Sequence, residues 1–168
     1  MPADKTASIR PYRPDDLDAV IGIFLGAIRE IAARDYDRTQ IEAWAQADRD
    51  AWAEVRLSRP TWVAVVGGKP VGFSDLEPGG HLDMMFVHPA HQGVGVATAL
   101  LERVEAAARG QGLSRLFTEA SITARPFFER RGFRLVAAQV VRVRGQALAN
   151  FRMEKLLTRG GEPIGPTD

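Results

Sequence analysis

Apolar residues in the first third of the chain recur at helical spacing. Leu17, Val20, Ile21, Phe24, Ile28 and Ile31 fall three or four apart behind Pro14, which predicts a first helix capped by Asp15 or Asp16. A second helix is expected where Ile41, Trp44, Trp52 and Val55 lie near one face. Its start is read from Thr39 and Glu42, a capping-box pair in which each side chain satisfies an orphan amide. The period then changes. Trp62 to Val66, the turn Gly67-Gly68-Lys69-Pro70 and Val71 to Leu76 predict a β-hairpin. Beyond the break at Pro78-Gly79-Gly80, Leu82 to Val87 suits a central strand. Ala97 to Arg109 predicts a helix with Leu100, Leu101, Val104, Ala107 and Ala108 inward and Gly110 at its end. Leu113 to Glu119 predicts a strand, Ala124 to Arg131 a short helix stopped by Gly132, and Phe133 to Arg144 and Asn150 to Leu157 two further strands. Hairpins around one βαβ crossover imply a mixed α/β sheet with helices on both faces.

The chain has 168 residues, within the size of one domain. That domain is assigned to residues 1–160, with residues 1–8 read as a frayed start and 161–168 as a flexible tail. No cysteine is present, so disulfides, thiolate nucleophiles and zinc-thiolate or iron-sulfur sites are excluded, and no metal site is expected. The polar stretch Met1 to Arg10 lacks an apolar signal core, and no run approaches the ~18 apolar residues of a membrane helix. A cytoplasmic location without membrane attachment is the resulting expectation. A net charge of +1 argues against a nucleic-acid binder held by phosphate contacts. The charge is split, with 10 basic against 14 acidic residues up to Met84 and 12 against 7 from Met85 onward, so an anionic ligand would favour the second half.

Candidate chemistry concentrates at His88-Pro89-Ala90-His91-Gln92-Gly93-Val94-Gly95-Val96-Ala97-Thr98, between a strand end and a helix start. Gly93 and Gly95 allow a sharp turn and close approach of a ligand to the backbone. The amides of Gly93 to Thr98 then face outward at the positive end of a helix dipole, an anion site that fits a pyrophosphate. A plain strand-to-helix turn is the alternative for an isolated Gly-x-Gly. A dinucleotide fingerprint would use the same glycines and a ribose-binding Glu119, but Thr98 falls on its third small position and no earlier βαβ unit exists.

Gln92-Gly93-Val94-Gly95-Val96-Ala97 resembles the Q/R-x-x-G-x-G/A signature of the GNAT superfamily of N-acetyltransferases. Downstream, Ser121-Ile122-Thr123-Ala124-Arg125-Pro126-Phe127-Phe128-Glu129-Arg130-Arg131-Gly132-Phe133 resembles that family's N-x-x-A-x-x-F-Y-E-K-x-G-F segment. The likeness spans about residues 8 to 158. The runs at 41 to 46, 120 to 130 and 144 to 153 are similar to the YafP-like bacterial acetyltransferases. The resemblance implies acetyl-CoA in a V-shaped opening between two parallel strands, here Leu82 to Val87 and Leu113 to Glu119. It places pantetheine against the main chain of Met85, Phe86 and Val87 and the pyrophosphate on Gln92 to Thr98. Ser121, Ala124, Phe127 and Phe128 complete the cofactor contacts, and dimerisation through the last strands is common in the family. The motif tyrosine that protonates the departing thiolate is Phe128 here, and Ser121 replaces the motif asparagine. Both departures favour the alternative of a non-catalytic acyl-CoA-binding or sensor domain, with a nucleotide-binding regulator as a further one.

Transfer to an amine needs the neutral amine, whereas a free alkylammonium has a pKa of about 10.4. His81 and Asp83, two apart on the expected strand, can face one cleft together with Met85. Either accepts the proton while the other tunes it; Glu77 and Glu119 are reserve candidates. An acceptor groove bounded by Tyr36, Ile41, Trp44, Glu77 and the sheet end near His81 would suit a cationic, partly apolar amine, of a small molecule or a peptide. Trp44 and Trp52 equally suit core positions. Arg142, Arg144 and Arg152 are either solvated edge charge or contacts for an acceptor carboxylate or a CoA phosphate.

Overall fold

A computed structural model describes residues 6–157. Residues 1–5 and 158–168, and with them the tail assigned from the sequence, lie outside the described residues. Two antiparallel sheets form the frame. The first has the order β1 (Ser8–Pro11), β2 (Thr61–Val66), β3 (Lys69–Asp75), β4 (Met85–Val87); the second has the order β5 (Arg115–Ser121), β7 (Gln146–Leu156), β6 (Arg134–Val143). The strand β1 begins inside the stretch read as frayed, because its pairing partner, Trp62 to Val65, lies far along the chain.

Alternation along β2 assigns the two faces. Trp62 and Ala64 join a core with Leu100, Leu101 and Val104 of α4 (Val96–Gly110), while Val63 joins Val20, Ile23, Phe24 and Ile28 on the other side. The expected helices on both faces are therefore present. The helix α1 (Leu17–Gly26) runs on through a π turn, Ala27–Ile31, and a 3-10 turn, Ala32–Arg34. The single second helix expected from the sequence is two, α2 (Arg38–Trp44) and α3 (Arg49–Ser58). The cap of α2 is not Thr39 but Asp37, whose Oδ1 accepts from Gln40 N at 2.8 Å while Gln40 Oε1 accepts from Asp37 N at 2.8 Å. The helix α5 (Arg125–Arg130) follows β5.

The largest departure is at the expected central strand. Only Met85–Val87 is strand, and it pairs with β3 alone. Against β5, where the resemblance implies a splayed parallel pair, there is among the described residues one parallel bridge, at His81 and Phe117, with Leu82 N donating to Phe117 O at 2.9 Å and Phe117 N to Gly80 O at 3.0 Å. The cause is side-chain competition for the backbone. Asp75 Oδ1 accepts from Asp83 N at 3.0 Å and Met84 N at 2.8 Å, and Thr118 Oγ1 donates to Leu82 O at 2.7 Å. The last strand also starts earlier than expected, at Gln146, because Arg144-Gly145 makes a tight turn from β6. As the outer strand, β6 leaves Leu135, Val136 and Val140 exposed. Among the described residues no helix is long and apolar enough to cross a membrane.

Candidate active site

Past the bridge at His81, a cavity of about 950 Å³ is lined by residues of both sheets, by α1 and its π turn, and by the starts of α4 and α5. Small-molecule sites run to roughly 300–1,000 Å³. The strand β4 is the edge of its sheet there. Met84 O and His88 N face β3, so by the period of two the main-chain groups of Met85 and Val87 point the other way, toward the cavity. Val87 O is taken by Gln92 Nε2 at 2.8 Å, which ties the following turn to the strand end.

In that turn Gly93 and Gly95 have φ of +73° and +89°, a region costly for other L-residues, and no atom lies within 4 Å of a Cβ built on either. The space in front of the turn is open, a cradle that fits a diphosphate. The helix α4 begins at Val96 with Gly95 as its cap, so its first amides lack partners within the helix and sit at the positive dipole end. Gln92, Gly93, Gly95, Ala97 and Thr98 line the cavity, whereas Val94 is exposed and Val96 is buried in the core. Thr98 Oγ1 accepts from Arg131 Nη2 at 2.6 Å, leaving its own proton to donate, and the Arg131 guanidinium lies 5.4 Å from the Phe127 ring centroid. Arg130 and Arg131, which the sequence reading passed over, add positive charge to this end. Ser121 Oγ accepts from Ala124 N at 3.0 Å and so shapes the entry to α5, and Phe128, 4% exposed, is packed against Phe127 and Phe133.

Titratable groups meet on the cavity wall at His81. Its ring stacks on Phe117 with centroids 4.9 Å apart, its Nδ1 lies 3.0 Å from Glu77 Oε1, and its Nε2 lies 2.5 Å from Glu119 Oε2. Burial pulls the imidazole pKa down, but Glu119, Asp83 and Glu77 together outweigh it and raise the value above the ordinary histidine range. Asp83 is also raised, by burial first and by the neighbouring Asp75 charge, against the pull of His81 and Arg59. Arg59 Nη1 gathers the acids, 2.6 Å from Glu77, 3.3 Å from Asp83 and 3.7 Å from Asp75. His81, Asp83 and Glu119 line the cavity; Glu77, placed at the acceptor groove by the sequence reading, lies behind the imidazole and does not. Glu77, His81 and Asp83 also bring ligand atoms within 4.8 Å of one another, but with the Arg59 cation among them they are already compensated.

Tyr36 and Trp44 both line the cavity, with ring centroids 5.5 Å apart. The Tyr36 hydroxyl is fully engaged, donating to Ala149 O at 2.6 Å and accepting from Ile122 N at 3.0 Å. Trp44 and Trp52 join Phe24, Phe73 and Phe86 in an aromatic cluster, so both are packing groups as well as cavity wall. Gln139, Arg144 and Asn150 of the last hairpin complete this end. Sequence spacing could not find Gln139 and Asn150, because their meeting depends on the register of β6 on β7.

Comparison with known proteins identifies the family. The acetyltransferase (GNAT) domain family matches residues 32–157. The uncharacterized N-acetyltransferase YafP of Escherichia coli is 42% identical over 146 residues, covering 86% of this chain and 93% of that protein. A GCN5-related N-acetyltransferase from Rhodopseudomonas palustris superposes with a TM-score of 0.88 at 37% identity, over 90% of this chain and 96% of the other. A putative acetyltransferase from Salmonella typhimurium, yncA, solved with its cofactor acetyl-CoA, gives 0.67 at 26% identity, over 95% and 99%. Both sequence and fold therefore assign this chain to the GNAT family of acetyltransferases.

Proposed function

We propose that the protein transfers the acetyl group of acetyl-CoA to a primary amine of a small molecule by direct attack of the amine. One observation carries the reading: a single cavity joins an open, glycine-lined helix start to a hydrogen-bonded histidine and glutamate. The amides of Gly95 to Thr98, with Arg130 and Arg131, offer positive potential to the diphosphate of CoA, and the outward main-chain groups of Met85 and Val87 suit the amides of pantetheine. Acetyl-CoA supplies the activated thioester. The amine must lose a proton in the transfer, and the His81–Glu119 pair is placed to take it. The imidazolium form of His81 can donate to both carboxylates, from Nε2 to Glu119 and from Nδ1 to Glu77. In the proton-free form Nδ1–H is held by Glu77 and Nε2 is open to accept. Asp83, on the same wall, tunes the imidazole, its charge helping to hold the His81 proton.

Phe128 in the place of a tyrosine favours a second reading, an acyl-CoA sensor without turnover. Calorimetric titration with acetyl-CoA, CoA and NAD, followed by thiol release against a panel of amines, separates the two. Micromolar acetyl-CoA binding with acceptor-dependent release is the expected result. Tight CoA binding without release with any amine would leave the sensor, and binding of NAD alone would remove both.

A further inference from the structure

The same cavity has a polar face on the β6–β7 hairpin that proton transfer does not use. Resting on the acetyl-transfer reading, we infer that this face selects the acceptor: an extended amine whose far end carries a carboxylate, with the amine between Asn150 and Glu119 and the carboxylate on Arg144.

Asn150 stands opposite Gln139 on one neighbouring strand and Ser121 on the other, and Ser121 is two residues from Glu119 along β5. Its Oδ1 is buried without a hydrogen-bond partner, and the residue lines the cavity. Turning the Asn150 amide toward the cavity would bring this oxygen the N–H donor it lacks, which an incoming amine supplies. From there the wall turns apolar through Val141 and Leu148, a surface for an alkyl stem. It ends at Arg144 in the hairpin turn.

Arg144 has φ of +44°, followed by Gly145 at +84°, the double left-handed turn where asparagine or glycine is usual. The arginine sits there against its backbone preference, and its Nη1 is held by Ala43 O at 2.6 Å. No other hydrogen bond holds its Nε and Nη2 among the described residues, which leaves the guanidinium edge free to grip a carboxylate. Of the four arginines on this hairpin, Arg134, Arg142, Arg144 and Arg152, Arg144 lines the cavity, whereas Arg152 lines a separate small cleft with Glu154. At ~3.4 Å per residue, the strand from Asn150 to the turn spans on the order of 15 Å, and the reach of the arginine shortens the gap to roughly 10 Å. A free α-amino acid is too short to bridge it.

The test compares CoA release with two matched series, linear ω-amino carboxylates and linear alkylamines, using the unmodified protein and Arg144→Gln. The expected result is that kcat/KM favours the carboxylates at least tenfold once the chain is long enough to span about 10 Å. Arg144→Gln should bring the ratio of the two series to about one, through KM for the carboxylates. If Arg144 only caps the end of α2, the substitution will lower both series together and leave the ratio unchanged, which overturns the inference. Equal use of the two series at every length by the unmodified protein also overturns it while leaving acetyl transfer intact. No release with any amine, in a protein that binds acetyl-CoA, overturns both.

Discussion

At the scale of single residues the proposed chemistry turns on the proton of the His81–Glu119 pair. Because the pKa of His81 is raised, the imidazole as the proposed base would work only above the ordinary value of about 6.5. The acidic limb of kcat/KM is therefore expected above pH ~6.5. Glu119→Gln removes the hydrogen-bonded charge that raises the value and should move that limb to lower pH; a limb that stays put would take His81 out of the reaction. Stability is linked with the opposite slope. A raised pKa means that the folded state binds the proton more tightly, so this contribution is complete below about 6.5 and disappears as pH rises through the folded value. Urea unfolding at several pH values should show the gap between the protein and Glu119→Gln closing as pH rises. Phe128 poses a separate question, since its ring is packed between Phe127 and Phe133 and carries no proton. Phe128→Tyr should keep or raise turnover, because a thiol pKa of about 8.5 makes the thiolate a tolerable leaving group already. Complete loss in steady-state assays would show that the apolar ring itself shapes the site. The chemistry-bearing residue types at 81, 83 and 119 were readable from strand spacing, but which of them touch was not. The stacking of His81 on Phe117 and its reach to Glu119 both cross between segments far apart in sequence.

At the scale of elements, the decisive feature is the strand that stops short. Asp75, at the end of β3 and 0% exposed, holds the amides of Asp83 and Met84 with one oxygen and Arg56 Nη2 with the other at 3.0 Å. Arg56 is itself 2% exposed, and the nitrogens left without hydrogen bonds belong to a guanidinium whose carbon lies 5.7 and 5.9 Å from the Trp52 and Phe73 ring centroids. Removing one member of such a pair leaves an uncompensated buried charge. Asp75→Ala should cost roughly 3–5 kcal/mol in urea unfolding. It should also lower kcat by freeing the backbone that carries Asp83. Apolar periodicity overextended this strand, because Leu82 and Met84 fit the alternation while Met84 N and Leu82 O are taken by the side chains of Asp75 and Thr118. The cap of α2 shows the same limit: Thr39 and Glu42 match the motif, yet Asp37 with Gln40 satisfies it two residues earlier.

At the scale of the whole molecule, two sheets are joined edge to edge at one bridge, and Gly80 makes that bridge possible. Its φ is +102°, and a Cβ there would lie 2.3 Å from the carbonyl oxygen of Arg115, a backbone atom that cannot swing aside. Gly80→Ala should cost at least the ~1–3 kcal/mol of a disfavoured backbone region and shift His81 away from Glu119. A lower unfolding midpoint together with lost pH-dependence near neutrality would be the signature; an unchanged midpoint would mean that the bridge adds little. The order of elements from β2 onward, the mixed α/β class, the glycine turn and the family were legible in the chain itself, because each depends on local periodicity, on turn chemistry or on a contiguous motif. The π turn after α1, the shortening of β4 to Met85–Val87, the placing of Glu77 behind the imidazole and the gathering of Gln139, Asn150 and Arg144 around one cavity were decided only by the tertiary structure. Each of these is a competition between distant groups for the same hydrogen-bonding atoms or the same space, and no local pattern records which partner wins.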